Sequence, residues 1–310
     1  MFSYSVIGTG AIGGFYGGRL SHSGRDVRFL LHSDYEHVRN CGLRVDSCDG
    51  DFVLEHVETY ASTADMPASD VILVCLKSVN NHLLPGLLRP LLEKAEMSGI
   101  MPTVVLIQNG IGLEEDLHKC FPSLHIVAGL AFICSAKVGP GHVSHQCYGS
   151  INLGNYSCPD NIFQCLLSDL QSAGIQAAEV EYLEARWKKA VWNMPFNGMT
   201  VALNTTTDRL LLNPSTRRLI YEQMMEVIGA ANAVGVTTLT SAFADKMMQM
   251  TDEMVPYSPS MKLDFDHHRP MEIDYLYTRP IAEACKAGFS MPKLSMLEAE
   301  LRFLEKTLAE

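Results

Sequence analysis

The sequence predicts a doubly wound α/β domain followed by an all-helical one, and three observations carry that prediction. Residues 5–20, SVIGTGAIGGFYGGRL, run a short apolar strand into a glycine-rich turn and then into a helix. Strand-like and helical stretches alternate from there to about residue 180, and the strands are continuous β-branched runs, the pattern of parallel strands covered on both faces. Beyond about residue 183 strand patterns stop, and long helical stretches follow one another with Pro and Gly as punctuation.

The strands expected in order are SYSVI (3–7), DVRFLL (26–31), VILVCL (71–76), TVVLIQ (103–108) and HIVAGLAF (125–132). Residues 43–57 predict a hairpin turning at Asp49-Gly50, a pair suited to positive φ. At 134–154 a Gly-Pro-Gly turn between short alternating segments predicts antiparallel strands added at the sheet edge. A helix at 160–173 and a strand at 175–180 complete this domain. Helices are then expected over 185–203, 215–234, 240–250 and 271–287.

Bulk properties narrow the function classes. The net charge of −11 argues against nucleic acid or an anionic membrane as the main partner. Nine scattered cysteines contain no Cys-x-x-Cys pair, so neither a disulfide framework nor a zinc site is indicated. No basic leader precedes the first strand, and no apolar run reaches the roughly 18–20 residues of a membrane span. A cytoplasmic protein is expected, with a homodimer compatible but not demanded.

Gly8-Thr9-Gly10-Ala11-Ile12-Gly13 sits between a strand and a helix, the context that gives a G-x-G-x-x-G pattern physical content. Gly8 allows the tight turn, Gly10 lets a pyrophosphate approach the backbone, and Gly13 permits close packing of helix on strand. The helix N-terminus adds free N–H groups and a partial positive charge. Residues 1–181 are therefore expected to bind a dinucleotide, and 182–310 to carry the chemistry. Where NAD-binding proteins place an Asp or Glu after the second strand, this chain has His32-Ser33, with Asp34 beyond. That leaves room for a 2′-phosphate met by Ser33 and a protonated His32, which favours NADP(H).

ARWKKAVWNMPFNGMTVAL (185–203) is the informative stretch of the second domain. Lys189, Asn193 and Asn197 fall at i, i+4 and i+8, along one helix face. A lysine on a helix is usually solvated, but two amides in its stripe suit a carbonyl substrate: the ammonium donates a proton while the amides hold neighbouring oxygens. Lys188 competes, although its own stripe holds Trp192 and Phe196.

These residues resemble the ketopantoate reductase (2-dehydropantoate 2-reductase) family, and the resemblance covers essentially the whole chain. The glycine-rich turn and the Lys-x-x-x-Asn-x-x-x-Asn helix are joined by four shorter matches. CLKS supplies Lys77, QNG at 108–110 supplies Asn109, and GPGHVSHQCYGSINLG resembles the family's Pro-Gly-x-x-x-His hairpin. SMKLDFDHHRPMEID resembles its late Ser…Glu segment, giving Ser260, Asp264, Arg269 and Glu272. The chain departs from the pattern at Gly198, where the family usually has Pro, at Pro195 between the two asparagines, at His32 in place of an arginine, and after Lys77.

The resemblance implies NADPH-dependent reduction of a small 2-oxo acid, 2-dehydropantoate, to pantoate, on the way to pantothenate and coenzyme A. Lys189 is then the general acid, and Glu272 orients either Lys189 or the substrate hydroxyl. Asn109, Asn193, Asn197 and Ser260 hold the substrate. Residues 8–13, His32, Ser33, Lys77 and Asn109 hold the cofactor. Two rivals stay open: a relative reducing another 2-oxo or 3-oxo acid, and a non-catalytic NADP-binding regulator. No metal is expected, since His142 and His145 of the H-x-x-H point to opposite faces of a strand.

Overall fold

The computed structural model describes residues 1–309. It resolves two compact units, one of residues 1–108 with 113–182, the other of residues 109–112 with 183 onward. In chain order the first unit holds β1 (Ser3–Ile7), α1 (Ala11–His22), β2 (Asp26–Leu30), α2 (Tyr35–Cys41), β3 (Leu43–Ser47), β4 (Phe52–Leu54) and β5 (Glu58–Tyr60). It continues with β6 (Val71–Val74), α3 (Leu84–Met97), β7 (Thr103–Leu106), α4 (Leu113–Cys120), β8 (His125–Gly139), β9 (His142–Asn155), α5 (Asp160–Ser172) and β10 (Ala177–Val180).

The sheet has the order β4-β3-β9-β8-β7-β6-β1-β2-β5, with β10 also pairing β9. β8, β7, β6, β1 and β2 pair in parallel. Every residue of β6 and β7 is buried, which is why these strands are apolar throughout rather than alternating. One expectation needs correction, and one strand was not foreseen. The 134–154 pair is not an edge addition: β8 and β9 form the expected antiparallel hairpin, but β3 pairs with the far side of β9, Arg44 opposite His142 through Ser47 opposite His145. The open edge of β9 is thereby satisfied by a hairpin from about 100 residues earlier in the chain. In addition, β5, three residues long and too short to give a periodic signal, pairs in parallel with β2.

The second unit is helical: α6 (Tyr182–Ala202), α7 (Thr207–Leu212), α8 (Pro214–Ala233), α9 (Ser241–Asp252), α10 (Ser260–Asp266), α11 (Arg279–Lys286) and α12 (Pro292–Ala309). The stretch 271–287 is not one α-helix, because Asp274–Thr278 forms a π-turn before α11. Pro280 accounts for this. It has no N–H for the carbonyl of Leu276, and a locally wider turn accommodates its ring. Pro195, by contrast, does not end α6. The core of this unit joins Trp187, Val191 and Met194 of α6 to Ile220 and Met224 of α8 and Leu294 of α12. Glu226 of α8 fixes the start of α12 by accepting hydrogen bonds from the backbone N–H groups of Lys293 and Leu294 at 3.0–3.1 Å. Among the described residues no helix is long and apolar enough to cross a membrane.

Candidate functional site

Each unit presents its own set of candidate residues. In the first, the turn between β1 and α1 has the shape a pyrophosphate needs. Gly8 has φ +96°, and a Cβ there would lie 2.8 Å from the Leu76 backbone nitrogen. Gly13 packs its bare Cα against Val6 and Cys75, whereas the space around Gly10 is open to 4 Å. Gly10 is also the N-cap of α1 and carries no capping side chain, so the first N–H groups, from Ala11 onward, remain available to an anion. No acidic side chain stands in the first turn to oppose one. Thr9 turns its hydroxyl to the Leu30 carbonyl at 2.9 Å, tying this turn to the end of β2.

Past that strand end, His32 and Ser33 are exposed and Asp34 is buried. The Asp34 carboxylate accepts hydrogen bonds from the Gly141 N–H at 2.9 Å and the Ser33 hydroxyl at 3.1 Å, and pairs with Lys137 of β8 at 2.5 Å. Burial works against its ionisation, but Lys137, Gly141 and Ser33 together hold it below the usual carboxylate range. Asp34 is thus engaged inside the fold, and a lysine that sequence reasoning passed over stands beside it. Lys137 was missed because it comes from a hairpin 100 residues away. Lys77 is exposed at the start of the 3₁₀ turn Ser78–Leu83. Gln108 of the QNG turn donates to Leu76 O and Asn81 Oδ1 at 2.8 and 2.7 Å, bracing that loop.

In the second unit, α6 forms one wall of a narrow recess that Lys189, Asn193, Arg186, Gly110, Ile111 and Tyr275 line together. Residues 186, 189 and 193 lie on successive turns of the same face of α6. Arg186, which the sequence reading did not single out, is a second cation there. Gly110 has φ +118°, and a Cβ on it would sit 2.5 Å from the Tyr275 Cβ. The Ile111 N–H donates to the Tyr275 carbonyl at 3.0 Å, which closes the loop onto this wall. Asn109 directly precedes it.

Lys189 is half-buried, and its pKa is pushed down to about 7. Burial is the main cause, the Arg186 charge adds to it, and Glu272 opposes both. Glu272 is itself buried, so its charge reaches the lysine without much solvent screening. Lys188 points away: it is exposed and ion-paired with Glu184 one turn back. The two lysines are thereby told apart.

Asn197 and Ser260 do not line the recess. Asn197 is 2 % exposed, its Nδ2 donating to the Asn193 carbonyl at 2.9 Å and its Oδ1 accepting from the Met261 N–H at 3.1 Å. Both ends of its amide are therefore engaged within the fold. It pins the N-terminus of α10, where Ser260 is exposed, to α6. Asp264 and Arg269 pair with each other at 3.0 Å. The H-x-x-H histidines diverge, His142 to Asp46 and His145 inward to Ser47, each at 2.8 Å. Cys48, Asp49 and His145 gather three donor atoms within 4.8 Å of one another, with Arg19 lying 3.3 Å from the Asp49 carboxylate.

Comparison with known proteins bears on this arrangement as a whole. Residues 4–157 match the family model described as ketopantoate reductase PanE/ApbA, and residues 181–305 match the model of its C-terminal part. A 2-dehydropantoate 2-reductase of Nostoc sp. is 42% identical over 97% of this chain and 95% of its own. The crystal structure of 2-dehydropantoate 2-reductase from Geobacter metallireducens superposes with TM-score 0.90 at 37% identity, covering 97% of this chain and 99% of that one. A ternary structure of D-mandelate dehydrogenase with NADH and anilino(oxo)acetate shares the fold, with TM-score 0.88 at 20% identity over 99% of this chain and 100% of its own. The chain belongs to the ketopantoate reductase family and is a nicotinamide-dependent oxidoreductase of the 2-dehydropantoate 2-reductase type, acting on a CH–OH group.

Proposed function

We propose that this chain reduces 2-dehydropantoate to pantoate with NADPH, a step toward pantothenate and coenzyme A, and that Lys189 is the proton donor. Residues 1–181 serve as the nucleotide domain and 182–310 as the catalytic one. The reduced nicotinamide supplies the hydride that the keto carbon accepts. The protein supplies the rest. The open side of Gly10 and the uncapped α1 N–H groups hold the pyrophosphate, and the family pattern assigns Lys77 and Asn109 to the cofactor as well. Exposed His32 and Ser33, together with the engagement of Asp34 inside the fold, leave the end of β2 free of a carboxylate that would repel a 2′-phosphate.

Lys189 donates a hydrogen bond to the keto oxygen and passes its proton there as negative charge develops, joining general-acid to electrostatic stabilisation. Glu272 favours the protonated lysine and orients it. Asn109 and Asn193 hold the polar ends of the substrate, while Asn197 positions α10, at whose start Ser260 stands exposed outside the recess. The nine free cysteines suit the reducing cytoplasm.

One observation carries this reading above the others: the family's lysine stands in a desolvated recess with a pKa of about 7, matched to proton donation near neutral pH. The test is a panel of small 2-oxo and 3-oxo acids given to the purified chain with NADPH and with NADH. We expect 2-dehydropantoate to be turned over fastest. NADPH should be preferred by about ten- to a hundredfold in kcat/KM, the worth of one or two hydrogen bonds to a charged phosphate. Faster turnover of another acid would identify a relative with a different substrate, and cofactor binding without turnover of any acid would identify a regulator.

A further inference from the structure

We infer that Lys137 is the cation that meets the 2′-phosphate of NADPH, reaching from the β8–β9 hairpin to a strand end that carries no arginine. A ligand for that phosphate presupposes the NADPH reading above. In a dinucleotide-binding βαβ unit the adenosine ribose lies between the first turn of the first helix and the end of the second strand, so a side chain that reads its 2′ position has to stand near both. Lys137 is tied to both. Its cross-strand neighbour on β9 is Val143. Val143 packs on the first turn of α1, where a Cβ at Gly14 would lie 2.7 Å from its Cγ2. On the other side, the Lys137 ammonium pairs at 2.5 Å with Oδ2 of Asp34, whose Oδ1 accepts from the Ser33 hydroxyl at 3.1 Å. Backbone contacts fix the hairpin in this place: the Gly141 N–H donates to Asp34 at 2.9 Å, and the Gly141 carbonyl accepts from the Arg44 N–H at 2.8 Å. The Asp34 side chain is 7 % exposed against 35 % for Lys137, so the carboxylate grips the ammonium from within the fold while part of the lysine stays in water. An ammonium has three N–H donors, and one bond to Asp34 leaves others for a phosphate oxygen. That bond also holds a long side chain in place before the ligand arrives and cancels the carboxylate's repulsion of it. His32 and Ser33 offer an imidazole and a hydroxyl at the same strand end; Lys137 adds an ammonium.

The experiment reads binding rather than turnover. By calorimetry, 2′,5′-ADP, which carries the 2′-phosphate, is compared with 5′-AMP, which lacks it, and NADPH with NADH. The proteins are the wild-type chain, Lys137→Met, Lys137→Arg and the double variant Asp34→Asn/Lys137→Met. Lys137→Met is expected to weaken 2′,5′-ADP and NADPH by about ten- to a hundredfold, the worth of a hydrogen bond to a charged group, and 5′-AMP and NADH by less than about threefold. Lys137→Arg should keep most of the wild-type discrimination. The double variant separates contact from charge cancellation, because it removes the Asp34 charge along with the lysine. Its discrimination should stay lost. Recovery of the wild-type ratio there would mean that Lys137 only neutralises Asp34, and would overturn the assignment. Equal losses on ligands with and without the phosphate would overturn it too, as the mark of a purely structural role, and so would an unchanged affinity for 2′,5′-ADP. The double variant buries no unpaired carboxylate, so it still decides the matter if Lys137→Met does not fold. A wild-type chain that bound 2′,5′-ADP no better than 5′-AMP and NADPH no better than NADH would instead overturn the NADPH reading itself.

Discussion

Lys189 shows how far a single residue can be understood from its surroundings. Its spacing to Asn193 and the apolar stripe of its competitor Lys188 were legible in sequence, but which of two adjacent lysines is desolvated depends on packing. The structure turns Lys188 to Glu184 and solvent and leaves Lys189 in the recess. Lys189→Ala is expected to lower kcat by about 10²–10⁴-fold, the usual worth of general-acid catalysis, while the dissociation constant for NADPH stays within a factor of two to three. For the wild type, kcat/KM for reduction should fall as pH rises through about 7, because the deprotonated lysine has no proton to give. The same shift has a stability sign. The folded-state pKa lies below the ordinary 10.5, so the unfolded chain binds the extra proton between those values, and stability rises with pH across that window. Lys189→Met should therefore melt above the wild type, by a margin that is larger at pH 6 than at pH 10. A margin independent of pH would show that the lysine is not held neutral by its surroundings.

At the scale of elements, α6 illustrates why a motif departure need not be a defect. The Tyr277 hydroxyl donates to the Met194 carbonyl at 2.6 Å, and its partner on the other side is the Gly198 backbone. A tyrosine from the π-turn is thus inserted into the helix ladder one turn past Pro195. A Cβ at 198 would stand 2.6 Å from both that hydroxyl and the Leu297 Cδ2, which explains glycine at a position where proline is usual. Gly198→Ala should cost about 1–3 kcal/mol in denaturant unfolding, as overpacked cores do. No local pattern announces such an insertion, since it pairs residues 79 positions apart in the chain. The same limit applies to β3 and β5. Their pairing partners are chosen by edges that exist only once the sheet has assembled, whereas β6 and β7 declared themselves by runs of Val, Ile and Leu. Lys137 and Asp34 make the point energetically. Lys137→Met leaves a buried carboxylate with only neutral donors and should destabilise the chain by about 1–3 kcal/mol near neutral pH. Asp34 is ionised more readily folded than unfolded, so that contribution is present above the usual carboxylate range and disappears as acid protonates it. Urea melts at pH 7 and pH 3 measure the difference, and an equal loss at both would rule out the ion pair as its source.

On the scale of the whole molecule, an acidic chain of net charge −11 keeps Arg186 and Lys189 in one recess, a local reversal of its overall sign. The compact units are also not consecutive halves of the sequence. Residues 109–112 leave the α/β unit after β7, join the helical one, and return at α4. Ile111 is 5 % exposed within the helical core. Ile111→Ala should therefore cost about 2–5 kcal/mol, and hydrogen exchange should place the loss in α6 and α8 rather than in β1 or β6, although residue 111 directly follows the strand region. For anyone building chimeras between relatives, this excursion moves the seam. A graft that exchanged everything after residue 182 would import a foreign Tyr275 and Arg279 opposite the host's Gly110 and Gly112, where a Cβ would meet those very side chains at 2.5–2.8 Å. The transplantable module is discontinuous: four residues from the middle of the first domain have to travel with the second.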